Sequence, residues 1–146
     1  MLLFTQLFHK NCGKKRTKGF YPLLFILITS IFLISCASQS ERIAKSGLKL
    51  ENKGRLLEAK KKFEKALEVN PDEPYAHIGL GYIYYKEGDF DKAIFHYKKG
   101  LDGNPEISKA YPVSHYYLGL AYNKKNMTEE ARAQFRKYRQ MRKIEN

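Results

Sequence analysis

Two hydropathy patterns divide the chain. Residues 20–34 are almost wholly apolar, Phe20-Tyr-Pro-Leu-Leu-Phe-Ile-Leu-Ile-Thr-Ser-Ile-Phe-Leu-Ile34. They follow a stretch with Lys10, Lys14, Lys15, Arg16 and Lys18 and no acid. A basic region followed by an apolar one is the order of an export signal. As a helix the run would reach roughly 22 Å, short of the roughly 30 Å hydrocarbon core. A cleaved signal therefore fits better than a spanning segment, and the alternative is an uncleaved single-pass anchor that lies tilted. Beyond Cys36 the pattern is charged, rich in Tyr and helical, and it repeats itself. Gly47 and Gly81, Gly54 and Gly88, Ala59 and Ala93, Phe63 and Tyr97, and Pro71 and Pro105 are each 34 residues apart. A third copy follows after 38, with Gly119, Tyr122, Ala131 and Phe135 in the places of Gly81, Tyr84, Ala93 and Tyr97. Pro112 and His115 likewise match Pro74 and His77, and four extra residues near Ser108 to Tyr111 lengthen the connection.

A period of this length denotes an array of stacked repeats, and the family resemblance set out below implies that each repeat is a helix pair. Gly47, Gly81 and Gly119 fall in the middle of the first helix of each pair, where glycine is unfavourable by about 1 kcal/mol relative to alanine. Close approach of the paired helix is the expected compensation, with Ala59, Ala93 and Ala131 as its small residues. Phe63, Tyr97 and Phe135 would fill the space between pairs. Gly54 and Gly88 mark the turn inside a pair, Asp89 and Thr128 are candidate caps of second helices, and Pro71, Pro74, Pro105 and Pro112 punctuate the repeats. Ser38 and Glu41 have capping-box spacing, so the first helix can begin just after Cys36. The last helix is expected over Glu129 to Lys143.

These positions resemble the tetratricopeptide repeat. The second copy reads His77-x-x-Leu80-Gly81-x-x-Tyr84, then Ala93-x-x-x-Tyr97, then Pro105. The first reads Ile43-x-x-Ser46-Gly47-x-x-Leu50, Ala59-x-x-x-Phe63 and Pro71; the third reads His115-x-x-Leu118-Gly119-x-x-Tyr122 and Ala131-x-x-x-Phe135. Trp is missing from the first position of each motif, Ser46 replaces Leu, and Lys143 stands where a last Pro would fall. The resemblance implies an all-α fold, an α-solenoid of three helix-turn-helix pairs and about six helices after an N-terminal signal helix. Its repeats would be 40–73, 74–107 and 112–145, within a domain over 40–146.

In such arrays the first helix of each pair lines a concave groove. Carried onto this sequence, the groove positions are Glu41, Ala44, Leu48, Glu51 and Asn52; then Tyr75, Ile78, Tyr82, Tyr85 and Lys86; then Val113, Tyr116, Leu120, Asn123 and Lys124. The middle is aromatic and the far end basic. Tyrosines grouped on one face bring a large contact area at little entropic cost. A protein or peptide segment, apolar and acidic, is the expected partner. The carboxylate clamp of chaperone-binding members needs Lys and Asn in the first repeat's groove, where Ala44 and Leu48 stand, so a chaperone tail is disfavoured.

Leu33-Ile34-Ser35-Cys36, directly after the apolar run, resembles the lipobox of bacterial lipoproteins. That resemblance implies a diacylglyceryl group on the Cys36 thiol, removal of residues 1–35, acylation of the new amino group, and a linker of residues 36–39. Each buried methylene contributes about 0.8 kcal/mol, and stable attachment takes more than one chain. No Asp follows Cys36, which in the lipoprotein family favours the outer membrane, facing the periplasm; in one-membrane bacteria the protein would stay at the cell surface. Cys12 precedes the cut, leaving the mature chain without disulfide or thiol chemistry.

Composition bounds the rest. Of 146 residues, 27 are basic and 15 acidic. Without the five basic residues of the signal, 22 basic and 15 acidic residues remain, a formal charge of +7 that favours an anionic leaflet. The last helix sets six cationic residues beside Phe135, Tyr138 and Met141. It reads as a self-capping polar helix or as a surface for self-association. His77 and His115 share one repeat position and read as packing residues, while His96 reads as isolated on a second helix. No catalytic constellation, metal set or cofactor motif is visible apart from the acyl chains of Cys36, and an exported domain is not expected to meet nucleic acid. The sequence thus describes a non-catalytic protein-protein interaction scaffold. It resembles lipid-anchored repeat proteins that assist assembly of an envelope complex, of the pilus or outer-membrane type. The alternative is an accessory regulator of a cell-wall enzyme.

Overall fold

The structure, a computed structural model, describes residues 39–102 and 104–144. The apolar N-terminal run, Cys36 and the Ser38 cap lie outside the described residues. Within them the chain forms α1 over residues 39–51, then α2 (Leu56–Val69), α3 (Pro74–Glu87), α4 (Phe90–Leu101), α5 (Pro105–Ala110), α6 (Pro112–Lys124) and α7 (Thr128–Ile144). The pairs α1/α2, α3/α4 and α6/α7 make an all-α solenoid. Prolines open α3, α5 and α6, where the missing amide hydrogen removes a donor that would have no helical partner. The insertion before the third repeat forms a helix of its own, α5. Its start is capped by Asn104, whose side chain accepts from the Ile107 amide at 3.1 Å.

The turns inside the pairs keep the repeat register while changing residue type. Gly54 and Gly88 are left-handed (φ 74° and 82°), and Asn126 takes that conformation in the third pair (φ 60°), as Asn does more readily than most residues. The following helix starts at equivalent positions, Arg55, Asp89 and Met127, whose carbonyls accept from the amides of Ala59, Ala93 and Ala131 at 3.0, 3.0 and 3.1 Å. Asp89 also caps with its side chain, accepting from the Lys92 amide at 3.1 Å. Thr128, expected to cap α7, is instead that helix's first residue, because the register puts Met127 at the cap.

The mid-helix glycines admit rings. A Cβ at Gly47, Gly81 or Gly119 would lie 2.6, 2.8 or 2.7 Å from the ring of Phe63, Tyr97 or Phe135, each on the paired helix. Ala59, Ala93 and Ala131 are buried as well, but the closest approach expected of them is made by the aromatics. Phe63 also touches the next repeat, since a Cβ at Gly79 would collide with the same ring. One ring thereby ties α1, α2 and α3 together. In the third repeat the place of Gly79 is held by Tyr117, 38 residues on.

The core follows these contacts in two clusters. One joins Ala44, Ala59, Phe63, Ala66, Ala76, Leu80 and Ile83; the other centres on Tyr97 and Leu118 and runs from Ile78 to Ala131. Each repeat buries its apolar face against its neighbour, as a solenoid must. Between the first two repeats, buried Ser40 donates to buried Glu73 at 2.6 Å.

His77 and His115 are core residues, 4% and 3% exposed. His96 is not isolated: its Nδ1 lies 2.9 Å from Nδ1 of His77, and its ring stacks on Tyr84. His77 Nε2 donates to the Pro71 carbonyl at 3.0 Å, so a neutral His77 accepts from His96. The third repeat builds the same bridge from His115, which donates from Nδ1 to Gln134 at 2.7 Å and accepts at Nε2 from Ser108 at 2.8 Å. Burial lowers the pKa of all three histidines, that of His96 to about 4, with repulsion from His77 and Lys92 adding to it. Among the described residues no helix is long and apolar enough to cross a membrane.

Candidate functional site

The first helices of the three pairs enclose a pocket of about 240 Å³. Leu48, Glu51 and Asn52 reach it from α1, Ile78 and Tyr82 from α3, and Val113, Ser114 and Tyr117 from α6. Tyr97 enters from α4 behind them, and Tyr111 closes one side from the junction of α5 and α6. The glycine spacing that lets rings in between helices is what brings the phenol of Tyr97 through to this inner face.

The expected groove residues fall into three sets. Ile78, Tyr82 and Val113 line the pocket together with Leu48, Glu51 and Asn52. Tyr75 and Tyr85 stand beside it: Tyr75 packs edge-on against Tyr111 at 5.7 Å beneath the Lys45 ammonium, and Tyr85 lies 5.3 Å from the Tyr117 ring. The others are not among the lining residues. Tyr116, 39% exposed, leans on Phe135 and Tyr138 at the α7 side. Leu120 is half-buried, and Lys86, Asn123 and Lys124 are exposed. The stripe that α6 turns inward thus runs through Val113, Ser114 and Tyr117 and not through Tyr116 and Leu120.

Sequence reasoning missed Tyr97, Tyr111, Ser114 and Tyr117. A signal existed for Tyr117, since the repeat alignment sets this tyrosine against Gly79. Tyr97 was hidden by its own core role, because its ring is buried between helices and the residue nevertheless lines the pocket.

The polar chemistry of the pocket is unbalanced. Glu51 is the one charged side chain among the described lining residues. Burial pushes its carboxyl up to about 7. Its Oε2 and the Tyr97 hydroxyl are both buried without a hydrogen-bond partner, and a buried group left in this way costs about 1–3 kcal/mol. Tyr97 is 1% exposed, and burial, followed by the nearby Glu51, raises its phenol well above the ordinary value. Tyr82 and Tyr117 meet edge-on at 5.1 Å. A larger depression of about 740 Å³ runs along α4 past Phe95 and Lys98. Two of its carboxylates are paired, Asp72 with Lys99 at 3.3 Å and Asp91 with Lys125 at 2.9 Å, and Lys98 and Asp102 complete its charges, but among its described lining residues no buried side-chain polar atom lacks a partner. We therefore take the smaller pocket, whose polar atoms are unmatched, as the candidate site.

Residues 45–112 and 114–141 each match a family model described as tetratricopeptide repeat. The chain belongs to the tetratricopeptide repeat family. This repeat protein is 28% identical over 116 residues to a photosystem I assembly protein Ycf3 of Synechococcus, covering 77% of the chain and 65% of that relative. Ycf3 of Rippkaea orientalis is 27% identical over 134 residues, covering 84% of the chain and 78% of the relative. A cell division cycle protein 27 homologue of Arabidopsis thaliana is 35% identical over 72 residues, which is 49% of the chain and 10% of that protein. The chain thus spans about a tenth of the plant relative and just under two thirds of the Synechococcus one. Among the described residues no three His, Cys, Asp or Glu side chains are grouped to hold a metal ion.

Proposed function

We propose that this repeat protein is a non-catalytic docking module that seats a segment of another polypeptide in the pocket between α1, α3 and α6. The carrying observation is that Glu51 and Tyr97, from different repeats, line one concave pocket and each holds a buried polar atom without a hydrogen-bond partner, an imbalance that buried polar groups rarely show. Three further tyrosines, Tyr82, Tyr111 and Tyr117, supply apolar area with a polar edge. Two of the relatives are named for photosystem I assembly, and an assembly role in a bacterial envelope, of the pilus or outer-membrane type, is the reading adopted. Tethering at Cys36 belongs to the same proposal and rests on Leu33-Ile34-Ser35-Cys36 after the apolar run. Acyl chains there would hold the array close to a membrane, where its basic surface favours anionic headgroups.

Two experiments test the parts separately. Crosslinking in cells followed by recovery of the full chain should yield partners that depend on Tyr82 and Tyr117; partners unchanged in the Tyr82→Ala, Tyr117→Ala double variant would refute docking in the pocket. Labelled palmitate should enter the wild-type chain and not Cys36→Ala, and a chain of full length without label would refute the anchor.

A further inference from the structure

We infer that the pocket takes a cationic side chain, lysine or arginine, of the docked polypeptide, held by the Glu51 carboxylate and the Tyr97 hydroxyl among tyrosine rings. This deepens the docking proposal, on which it rests, and it replaces the expectation of an acidic partner segment.

Three observations converge on it. The first is complementarity of charge. Among the described lining residues the pocket has one charge, a carboxylate, and no cation to match it. The basic residues expected to draw an acidic partner, Lys86 and Lys124, are exposed and outside it. Lys45 of α1 is paired with Glu41 at 2.6 Å and lies over the Tyr75 ring. The second is the kind of wall. Tyr82, Tyr97, Tyr111 and Tyr117 line one small volume with the carboxylate, and aromatic walls combined with an anion are how proteins bind ammonium and guanidinium groups. The third is size. At about 240 Å³ the pocket is smaller than the roughly 300–1,000 Å³ typical of drug-sized ligands and suits one side chain.

The donor count agrees. An ammonium or guanidinium has only donors to offer, and two acceptors of the pocket's lining residues, Glu51 Oε2 and the Tyr97 oxygen, are buried without a partner. An acidic side chain would set a second carboxylate against Glu51. An apolar one would leave both atoms buried and unsatisfied. The raised pKa of Glu51 fits the empty site, since a bound cation would draw it down again. The formal charge of +7 over residues 36–146 opposes diffuse attraction of polybasic partners, so recognition is of a single cation placed by shape.

The test uses the full chain in neutral detergent with a random peptide library, comparing wild type, Glu51→Gln and Tyr97→Phe. Wild type should enrich peptides with a Lys or Arg at one fixed place. Replacing that Arg by citrulline, or that Lys by norleucine, should weaken binding to wild type about tenfold or more and to Glu51→Gln far less. Tyr97→Phe, which keeps the ring, should weaken the basic peptide without affecting its citrulline analogue. Enrichment of peptides with no basic preference, or of acidic ones, would overturn this inference and leave the docking module standing. Failure to enrich any peptide would overturn both. Tight Glu51-dependent binding of spermidine that displaces every peptide would assign the pocket to a free amine and refute a polypeptide cation.

Discussion

Replacing Glu51 by Gln should make the protein more stable at neutral and alkaline pH, and the pH dependence of the gain is the informative part. In the unfolded chain Glu51 loses its proton near its ordinary value of 4.5, whereas in the folded chain burial holds the carboxyl up to about 7. Between those two values the folded state binds the additional proton, so stability falls as pH rises through the window and is level above it. The gap is about 2.5 units, and at 1.36 kcal/mol per unit the loss is about 3 kcal/mol, an upper figure because the side chain keeps some solvent. Gln carries no charge to desolvate. The variant should match wild type near the acid end of the window and exceed it by up to about 3 kcal/mol at about pH 8. Chemical unfolding followed by far-UV circular dichroism at several pH values measures this directly. The histidines have the opposite slope: the folded chain keeps His96 neutral down to about 4, so stability falls as pH drops below the ordinary histidine value of 6.5. That contribution is common to both proteins and cancels in the difference. A difference that does not change with pH would refute the burial of Glu51 without a counter-charge, and with it the physical basis of the site.

Other perturbations should follow the same packing. Tyr97→Phe removes a buried hydroxyl with no partner and should raise stability by about 1 kcal/mol in denaturant titration, even as it weakens the basic peptide. Gly79→Ala drives a methyl into the Phe63 ring and should cost about 1–3 kcal/mol, part of which Phe63→Leu in the same chain should restore. Gly88→Ala, where φ is 82° and nothing lies within 4 Å, should cost only the backbone strain, about 1 kcal/mol. His96→Gln copies the His115–Gln134 bridge into the second repeat, and unfolding curves between about pH 6.5 and 4 should then show a smaller acid loss than wild type.

The sequence carried the fold through residues whose size is dictated by a neighbour. Gly47, Gly81 and Gly119 recur because a ring occupies the space of a side chain, and such constraints leave a period that can be read without coordinates. The histidine bridges left one too: His77 and His96 are 19 residues apart, as are His115 and Gln134, a spacing that links a first helix to its second. Legibility ended where the repeat broke its own rule. The insertion lengthened the connection, which forms α5 (Pro105–Ala110) and brings Tyr111 to the pocket, and Tyr117 stands in a glycine's place. The period sets Tyr117 against Gly79, but that it and Tyr111 line one pocket does not follow from it, because this depends on which way α6 turns.

That break in the repeat is also what gives the site its chemistry. Between the first and second pairs, Phe63 meets Gly79 and the contact is closed and apolar. Between the second and third, the corresponding ring is Tyr97 and the corresponding residue Tyr117, so two hydroxyls stand where one interface earlier there is only hydrocarbon. A solenoid built solely for stability would repeat the closed interface, since burying the Tyr97 oxygen and the Glu51 carboxyl without partners lowers the stability of the free protein. The same two atoms become an asset once a donor arrives. The free energy lost when they are buried alone is recovered on binding, and a ligand without hydrogen-bond donors cannot recover it. This physical chemistry predicts that affinity for a basic side chain and stability of the empty array move in opposite directions across Glu51→Gln and Tyr97→Phe. A variant of either residue that lost both together would indicate general damage to the core and would count against the pocket as a binding site.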